Sequence, residues 1–541
     1  MEPISLRTPL ALLVISLGTI AAVWWWLATP INLPRAPIDP NAKLLCVSYA
    51  PFRDQQTPLI ESTHVPAEQI AQDMAQLAKV ADCVRTYSID QGMDQVPALA
   101  AKAGLKVIQG IWLGSNRLKN LTQISTAIRL TKEYPGVITG LVVGNEVMLR
   151  GEMTVADLVA YIRLVKSQVQ VPVTYADVWE YWLKNRELYD AVDFVTIHIL
   201  PYWEDMPIKA KFASSHVDSI RRRMAVAFPG KEILIGETGW PSQGRMREGA
   251  LPSRTNQARV VSEILDMAKR EGFRVNLIEA YDQPWKRQLE GTVGGYWGLF
   301  DAYRREVKYP PGIAISNVPS WKLQMACGMV LSAFTFLAAL LTLRRRPWTP
   351  RLAAWVAVAI SATTAGSLLG LAADKMFYES YGIGSWLQWG ALLTAGIASP
   401  LLCANALMAG RSLPSFLELF GPRELRTKSI LTILLGLVLA VTALIAVETA
   451  LGFTFDPRYR DFPYASLTMA VVPFAGLMLL NRPQAGARPI AEAVFAGVIG
   501  GCAVYVGINE GKDNWQSIWT CVMYAVFALT LWRARVARSQ E

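Results

Sequence analysis

The feature that most restricts this chain is a set of apolar runs, most of them close to the ~20 residues a helix needs to cross a bilayer. They fall at residues 9–29, 323–343, 352–373, 386–408, 429–450, 464–480, 489–508 and 515–532, and the run at 464–480 is the shortest. A backbone in hydrocarbon must satisfy its own N–H and C=O groups, so such runs fold as helices. Hydrophobic residues make up 52% of the 541 and charged residues 18%, but the apolar excess is uneven, and residues 31–320 carry ordinary charge and short patterned elements. The organisation expected is an N-terminal anchor at 1–30, a globular domain at 31–320 and a membrane domain of about seven helices at 321–541. The first run continues through Trp24, Trp25 and Trp26 with no small-residue cleavage pattern close behind. An uncleaved anchor is therefore expected rather than a signal peptide.

Arginines punctuate the runs unevenly. Arg344, Arg345, Arg346 and Arg351 follow the second run, and Arg411, Arg423, Arg426 and Lys428 come two runs later. Arg482 and Arg488 follow next, and Arg533, Arg535 and Arg538 close the chain. The alternate loops are poorer, with Lys375, then Arg458 and Arg460, then Lys512. Positive loops stay in the cytoplasm, so eight spans are expected, with both termini inside and residues 31–320 outside. The net charge of +10 is then largely topology. It implies a lipid bilayer as partner and no nucleic acid. Glu448, Glu492 and the adjacent Asp374 and Lys375 lie near run ends, where interfacial solvation is expected rather than a transport path. Trp386, Trp389, Trp515 and Trp519 are placed for an interfacial belt on the outer side. No nucleotide-binding loop or transporter repeat is present, which argues against a nucleotide-sugar synthase or an ATP-driven exporter.

The globular part begins with a Pro-rich linker at 31–40 and then alternates two periodicities. Strand candidates lie at 44–49, 84–88, 106–112, 137–143, 171–175, 193–199, 232–236 and 275–281. Between them run helical patterns such as 67–81, 154–169 and 255–272, with apolar residues at three- and four-residue steps. Eight strands alternating with helices over this length predict an α/β fold, a (β/α)8 TIM barrel, whose chemistry sits at the C-terminal strand ends. Glu146 follows the fourth strand candidate and Glu237 the seventh. Each closes an apolar run, where an unused carboxylate would be costly. Both are expected at one mouth, with aromatic and polar residues from the other strand ends around them.

Two carboxyl groups across a sugar can cleave or transfer a glycosidic bond, one as nucleophile and one as acid/base. Asn145, beside Glu146, is placed to hold a sugar 2-hydroxyl, and rim aromatics suit the apolar faces of sugar rings. The motifs VRTYS (84–88), GIWL (110–113), VVGNEV (142–147), GETGWPSQG (236–244), EAYDQPWK (279–286) and YWGLFD (296–301) together resemble glycoside hydrolase family 17. These are the β-1,3-glucan hydrolases and transglycosylases of plants, fungi and bacteria. The resemblance covers about residues 44–310. It implies a retaining double displacement with Glu237 as nucleophile, Glu146 as general acid/base, Asn145 on the 2-hydroxyl and Glu279 as a supporting acid. The multi-span half looks like that of bacterial membrane-bound members associated with periplasmic β-1,3/1,6-glucan synthesis. That implies a bacterial inner-membrane protein with the barrel facing the periplasm or exterior, a β-glucan substrate, a glucan synthase as partner and no cofactor. Transglycosylation, including a β-1,6 link, is the leading expectation. An endo-β-1,3-glucanase using the same two glutamates is the alternative, and a non-catalytic glucan-binding or export protein is a third.

Bland readings stand beside these. The alternative for Glu146 and Glu237 is simple pairing with arginines such as Arg85, but their shared placement at strand ends favours catalysis. An asparagine at a strand end often just turns the chain, and His198 is divided evenly between substrate contact and loop support. Substrate-binding candidates are Asn145, Tyr87, Tyr202, Glu279, Trp285 and Trp297, although aromatics such as Tyr49 and Trp240 more often pack in a core. With three histidines in the chain and no ligand spacing, no metal site is expected. Cys46 and Cys83 are the cysteines of the globular part. They form a disulfide if their strands are neighbours, and are otherwise two buried thiols.

Overall fold

Eight parallel strands close on themselves in sequence order, each hydrogen-bonded to the next and the eighth to the first. They are β1 Cys46–Ser48, β2 Cys83–Arg85, β3 Lys106–Ile111, β4 Ile138–Asn145, β5 Val173–Val178, β6 Val195–His198, β7 Ile233–Thr238 and β8 Val275–Leu277. The chain is a TIM-type barrel followed by an all-helical region. The structure is a computed structural model, and it describes residues 6–32, 43–53, 55–303, 305–310, 313–344, 351–481 and 490–533. Arg345, Arg346, Arg482, Arg488, Arg535, Arg538 and linker residues 33–40 lie outside the described residues. The chain divides into two compact units, Ile31–Ile315 and Met1–Pro30 with Ser316–Glu541.

All eight strand candidates fall on strands, with shifted ends. β2 stops at Arg85, so Tyr87 belongs to the loop beyond, while β4 runs on to include Asn145 and β7 to include Glu237. β8 is only three residues long, because the chain bends from Ile278 onward. The helices follow their caps. Thr154 accepts from the Asp157 N–H to start Val155–Lys166, and Ser253 accepts from Asn256 to start Arg254–Glu271. Gly272, at φ +71°, ends that helix left-handed.

Inside the barrel, Ile108, Val142, Ala176, Phe194 and Leu234 pack with Cys46 and Cys83. The two cysteines are bonded, with Cα atoms 4.4 Å apart. The pairing of Val47 with Val84 sets β1 beside β2 and brings the preceding cysteines together. The bond ties residues 37 apart in sequence, so replacing both cysteines with alanine is expected to cost about 3–4 kcal/mol. A denaturation midpoint equal to that of the parent would refute that value.

The helical unit holds Arg7–Ala28, Trp321–Leu343, Leu352–Glu379, Gly382–Met408, Ile430–Phe455, Ile490–Glu510 and Trp515–Trp532, seven described helices long and apolar enough to cross a membrane. Tyr464–Leu480 is an eighth apolar helix of 17 residues. It is buried on nearly every side, as expected for a helix apolar all round. Two readings of the run ends need correction. The helix from Leu352 continues past Asp374 and Lys375 to Glu379. Asp374 accepts from Gln324 at 2.5 Å, and Lys375 pairs with Glu379 one turn on, both side chains nearly buried. Lys375 and Glu379 neutralise each other inside the helix packing, and Asp374 is half-buried on the Gln324 amide, rather than solvated at a helix end. Glu492 is likewise 1% exposed, and accepts the Phe416 N–H at 2.6 Å. Glu448 does remain exposed, paired with Arg460 at 3.1 Å.

Candidate active site

β4 ends on Gly144-Asn145-Glu146. Gly144 takes φ +89°, and a Cβ there would meet Val147 Cγ2 at 2.9 Å and the Tyr175 ring at 3.3 Å. Glu146 is also left-handed, at φ +53°. That conformation costs a non-glycine residue energy and persists where the surroundings fix it. Here the Glu146 N–H donates to the Ala176 carbonyl of β5 at 2.8 Å. Its carboxylate reaches β6, with Oε1 2.7 Å from His198 Nδ1. On β7, a Cβ on Gly236 would collide with Thr196 Cγ2 at 2.4 Å and press on the His198 ring at 3.3 Å. Glycine there leaves the imidazole room. His198 Nε2 then lies 3.5 Å from Glu237 Oε1. Glu146, His198 and Glu237 each place one atom within 4.8 Å of the others.

Arg85 fixes the other side. Its guanidinium, 1% exposed, donates to Glu237 Oε1 at 2.7 Å, to the Gly236 carbonyl at 3.2 Å and to Asn145 Oδ1 at 2.5 Å. A guanidinium only donates, so the Asn145 amide must turn its oxygen toward it. The Asn145 Nδ2 donors are thereby left for something else, and they bond no described group. Burial alone would push the Glu237 carboxyl up, but His198, Arg85 and Lys286 outweigh it and hold Glu237 below the ordinary carboxylate range. The same arginine argues against a cation on these three ligands, since it already occupies the Glu237 oxygen that a metal would need.

A second layer supports the first. The Tyr175 hydroxyl donates to Asp177, and both oxygens accept the Met148 N–H, at 3.0 and 3.2 Å. Burial, with a further push from the Glu146 charge, raises the Asp177 carboxyl to about 6 against the pull of Tyr175. Glu279 is buried and bonds Lys286. Burial pushes it up to about 7 against the pull of that ammonium.

The structure brings Glu146, Glu237, Asn145, Tyr87 and Glu279 to one end of the barrel. Tyr87 lies against Arg85, its ring centroid 4.9 Å from the guanidinium carbon, and its hydroxyl has no partner among the described residues. Trp285 is half-buried and held by its indole N–H on Gln283 at 2.7 Å. Tyr202 and Trp297 are corrections. Tyr202 is 1% exposed, donates to the Arg245 carbonyl and is packed edge-on against Trp203, Trp240 and Trp297. Trp297 is 2% exposed in the same packing. Both are packed into the barrel unit's hydrophobic core. Arg85 and Lys286 are absent from the substrate and catalytic candidates, and His198 is left even between two roles. Arg85 and His198 carry a signal, since each ends a strand, whereas Lys286 lies in the helical turn Pro284–Lys286 well past β8. Trp112 and Trp203 are half-exposed and belong with Trp285 as rim rings.

Residues 46–298 match the model of the BtgE/BtgC glycoside hydrolase domain. A probable family 17 glucosidase of Saccharomyces cerevisiae is 24% identical over 261 residues, 47% of this chain and 64% of that protein. Over these residues the barrel is similar to glycoside hydrolase family 17 proteins. A putative glucan endo-1,3-beta-glucosidase of Aspergillus niger is 26% identical over 307 residues, 50% of this chain and 43% of that protein. The chain thus spans less than two thirds of either relative. A crystal structure of a family 17 beta-1,3-glucanosyltransferase from Rhizomucor miehei is similar at 22% identity, covering 50% of this chain and 97% of that one with a TM-score of 0.44.

Proposed function

We propose that this barrel is a retaining β-1,3-glucan transglycosylase, anchored in a membrane by the helical unit and working outside the cytoplasm. The observation that carries the mechanism is the placement of Glu146 and Glu237 oxygens within 4.8 Å of one another. Retaining enzymes hold their carboxyl groups about 5–5.5 Å apart, whereas inverting ones leave room for a water at about 6.5–9.5 Å. In the first step Glu237 attacks the anomeric carbon, the bond to the leaving sugar breaks, and Glu146 gives its proton to the departing oxygen. In the second, an acceptor hydroxyl attacks the same carbon, Glu146 takes the hydroxyl proton, and the bond to Glu237 breaks. His198 bridges the two roles, with Nδ1 2.7 Å from the acid/base Glu146 and Nε2 3.5 Å from the nucleophile Glu237. Asn145 Nδ2 supplies a donor to the sugar 2-hydroxyl beside them.

Acceptor choice separates transfer from hydrolysis. Trp112, Trp203 and Trp285 keep half-exposed rings beyond β3, β6 and β8, and such rings hold a second sugar in place of water. Incubating the detergent-purified protein with a short β-1,3-gluco-oligosaccharide is expected to give products longer than the starting sugar by mass spectrometry. Linkage analysis then distinguishes β-1,3 from β-1,6 transfer. Shorter products alone would make the enzyme an endo-glucanase. The Cys46–Cys83 bond supports an oxidising location, and the loop charges support the orientation. Reporter fusions at Arg426 are expected to be cytoplasmic and fusions at Lys512 external. The reverse pattern would overturn the orientation.

A further inference from the structure

Glu146 carries its carboxyl group on a strained backbone. At φ +53° it is left-handed, a conformation that a Cβ makes costly and that lasts where the surroundings impose it. The Ala176 carbonyl accepts its N–H, and His198 Nδ1 holds its carboxylate at 2.7 Å. Two carbonyls flank the strained residue, those of Asn145 and of Glu146 itself, and Arg150 bonds both. The Arg150 N–H donates to the Glu146 carbonyl at 2.9 Å and closes the turn. The Arg150 guanidinium donates to the Asn145 carbonyl.

The rest of that guanidinium is anchored too. Nη2 donates to the Leu113 carbonyl, just beyond β3, at 2.6 Å, and to Glu152 at 2.8 Å. Its central carbon lies 4.3 Å from the centroid of the Trp112 ring, an attractive cation–ring contact on one face of that rim residue. One side chain thus joins the end of β3, the end of β4 and the residue that follows the turn at 147–151. A guanidinium suits this work. Its donors point in fixed directions in one plane, so its bonds set orientation as well as distance, which an ammonium does not do. The Asn145 side chain is held separately, by Arg85, and so is Glu237. Loss of the Arg150 side chain therefore releases the backbone beside Glu146 and leaves the nucleophile and the Asn145 amide with their partner.

We propose that Arg150 is a positioning residue for the acid/base: it clamps the Asn145–Glu146 peptide so that the Glu146 carboxyl meets the departing glycosidic oxygen. The inference rests on the reading of Glu146 as the acid/base of glycosyl transfer. It predicts a difference between leaving groups. When a sugar leaves, the bond from Glu237 to the anomeric carbon forms, the glycosidic C–O bond breaks and Glu146 gives its proton to the departing oxygen. When fluoride leaves from β-laminaribiosyl fluoride, the same attack breaks the C–F bond and fluoride departs without a proton. In detergent-solubilised full-length protein, Arg150→Met is expected to lower kcat on a β-1,3-gluco-oligosaccharide ~100-fold, as for a reacting group displaced by about 1 Å. First-turnover release of fluoride is expected to stay within about threefold of the parent, because general acid help is what is lost. Arg150→Lys keeps a cation without the fork. It falls between the two on the oligosaccharide, leaves fluoride release unchanged, and carries the test if Arg150→Met does not melt like the parent. Equal losses on both donors, or no loss on the oligosaccharide, overturn the proposal. Glu146→Gln removes the proton itself and is expected to show the same difference between donors. If it does, equal losses in the Arg150 variants overturn the positioning role alone. If it does not, the acid/base reading of Glu146 falls and the proposal falls with it. A parent protein that consumes neither donor overturns both.

Discussion

Glu237→Gln is expected to lower kcat on a β-1,3-gluco-oligosaccharide by ~10⁴-fold while the protein still binds the sugar. Glutamine keeps the volume and still offers an oxygen to Arg85, which lies 2.7 Å from the native carboxylate, so the site stays assembled. An amide does not attack an anomeric carbon, and removal of a covalent nucleophile costs on this order. The affinity survives because the sugar is held largely by other groups, among them Asn145 and the rim rings. Oligosaccharide turnover within tenfold of the parent would remove Glu237 from the mechanism. The glutamine variant separates the roles better than alanine, which would also leave Arg85 short of an acceptor.

Arg85→Met acts on stability and on pH together. The guanidinium is buried and bonds Glu237, Asn145 and the Gly236 carbonyl. Removing it leaves Glu237 buried with His198 and Lys286 as its remaining positive neighbours, and breaking a buried pair this way costs about 3–5 kcal/mol. The pH effect has a definite sign. The Glu237 carboxyl is held below its usual range in the fold, so its contribution to stability is present above the ordinary glutamate value. That contribution is lost as pH falls through the depressed one. Without Arg85 the carboxyl moves up, and the acid limb of kcat/KM moves to higher pH with it. Arg85→Lys keeps the charge but not the fork that spans Glu237 and Asn145, so it falls between the two. An unmoved acid limb in Arg85→Met would show that Arg85 does not set the charge state of Glu237.

Much of this arrangement was legible before any tertiary contact was known. Short, nearly continuous apolar runs such as 137–143 and 232–236 mark strands buried on both faces, and the alternation with helices marks a barrel. The barrel rule then sends Glu146 and Glu237 to one mouth, and the structure puts both there. Local signals also suffice for the caps at Thr154 and Ser253 and for the stop at Gly272. The errors are of one kind. Tyr202 and Trp297 stand in the right loops, but whether a ring faces solvent or another ring depends on neighbours that sequence spacing does not specify. The charges at Asp374 and Lys375 mimic a helix end. Their partners, Gln324 from another helix and Glu379 one turn on, let the helix continue.

By itself, then, the sequence determined the alternating strands and helices, the apolar runs and the two strand ends that carry glutamates. Each is set by side-chain periodicity and backbone geometry within a few residues. The tertiary structure alone decided that Arg85, Asn145, His198 and Glu237, from four different strands, form one charged cluster. It also closed Cys46 onto Cys83. The physical reason is distance along the chain: Arg85 is 152 residues from Glu237. Contacts of that span come from closing the sheet on itself, and no local preference encodes them.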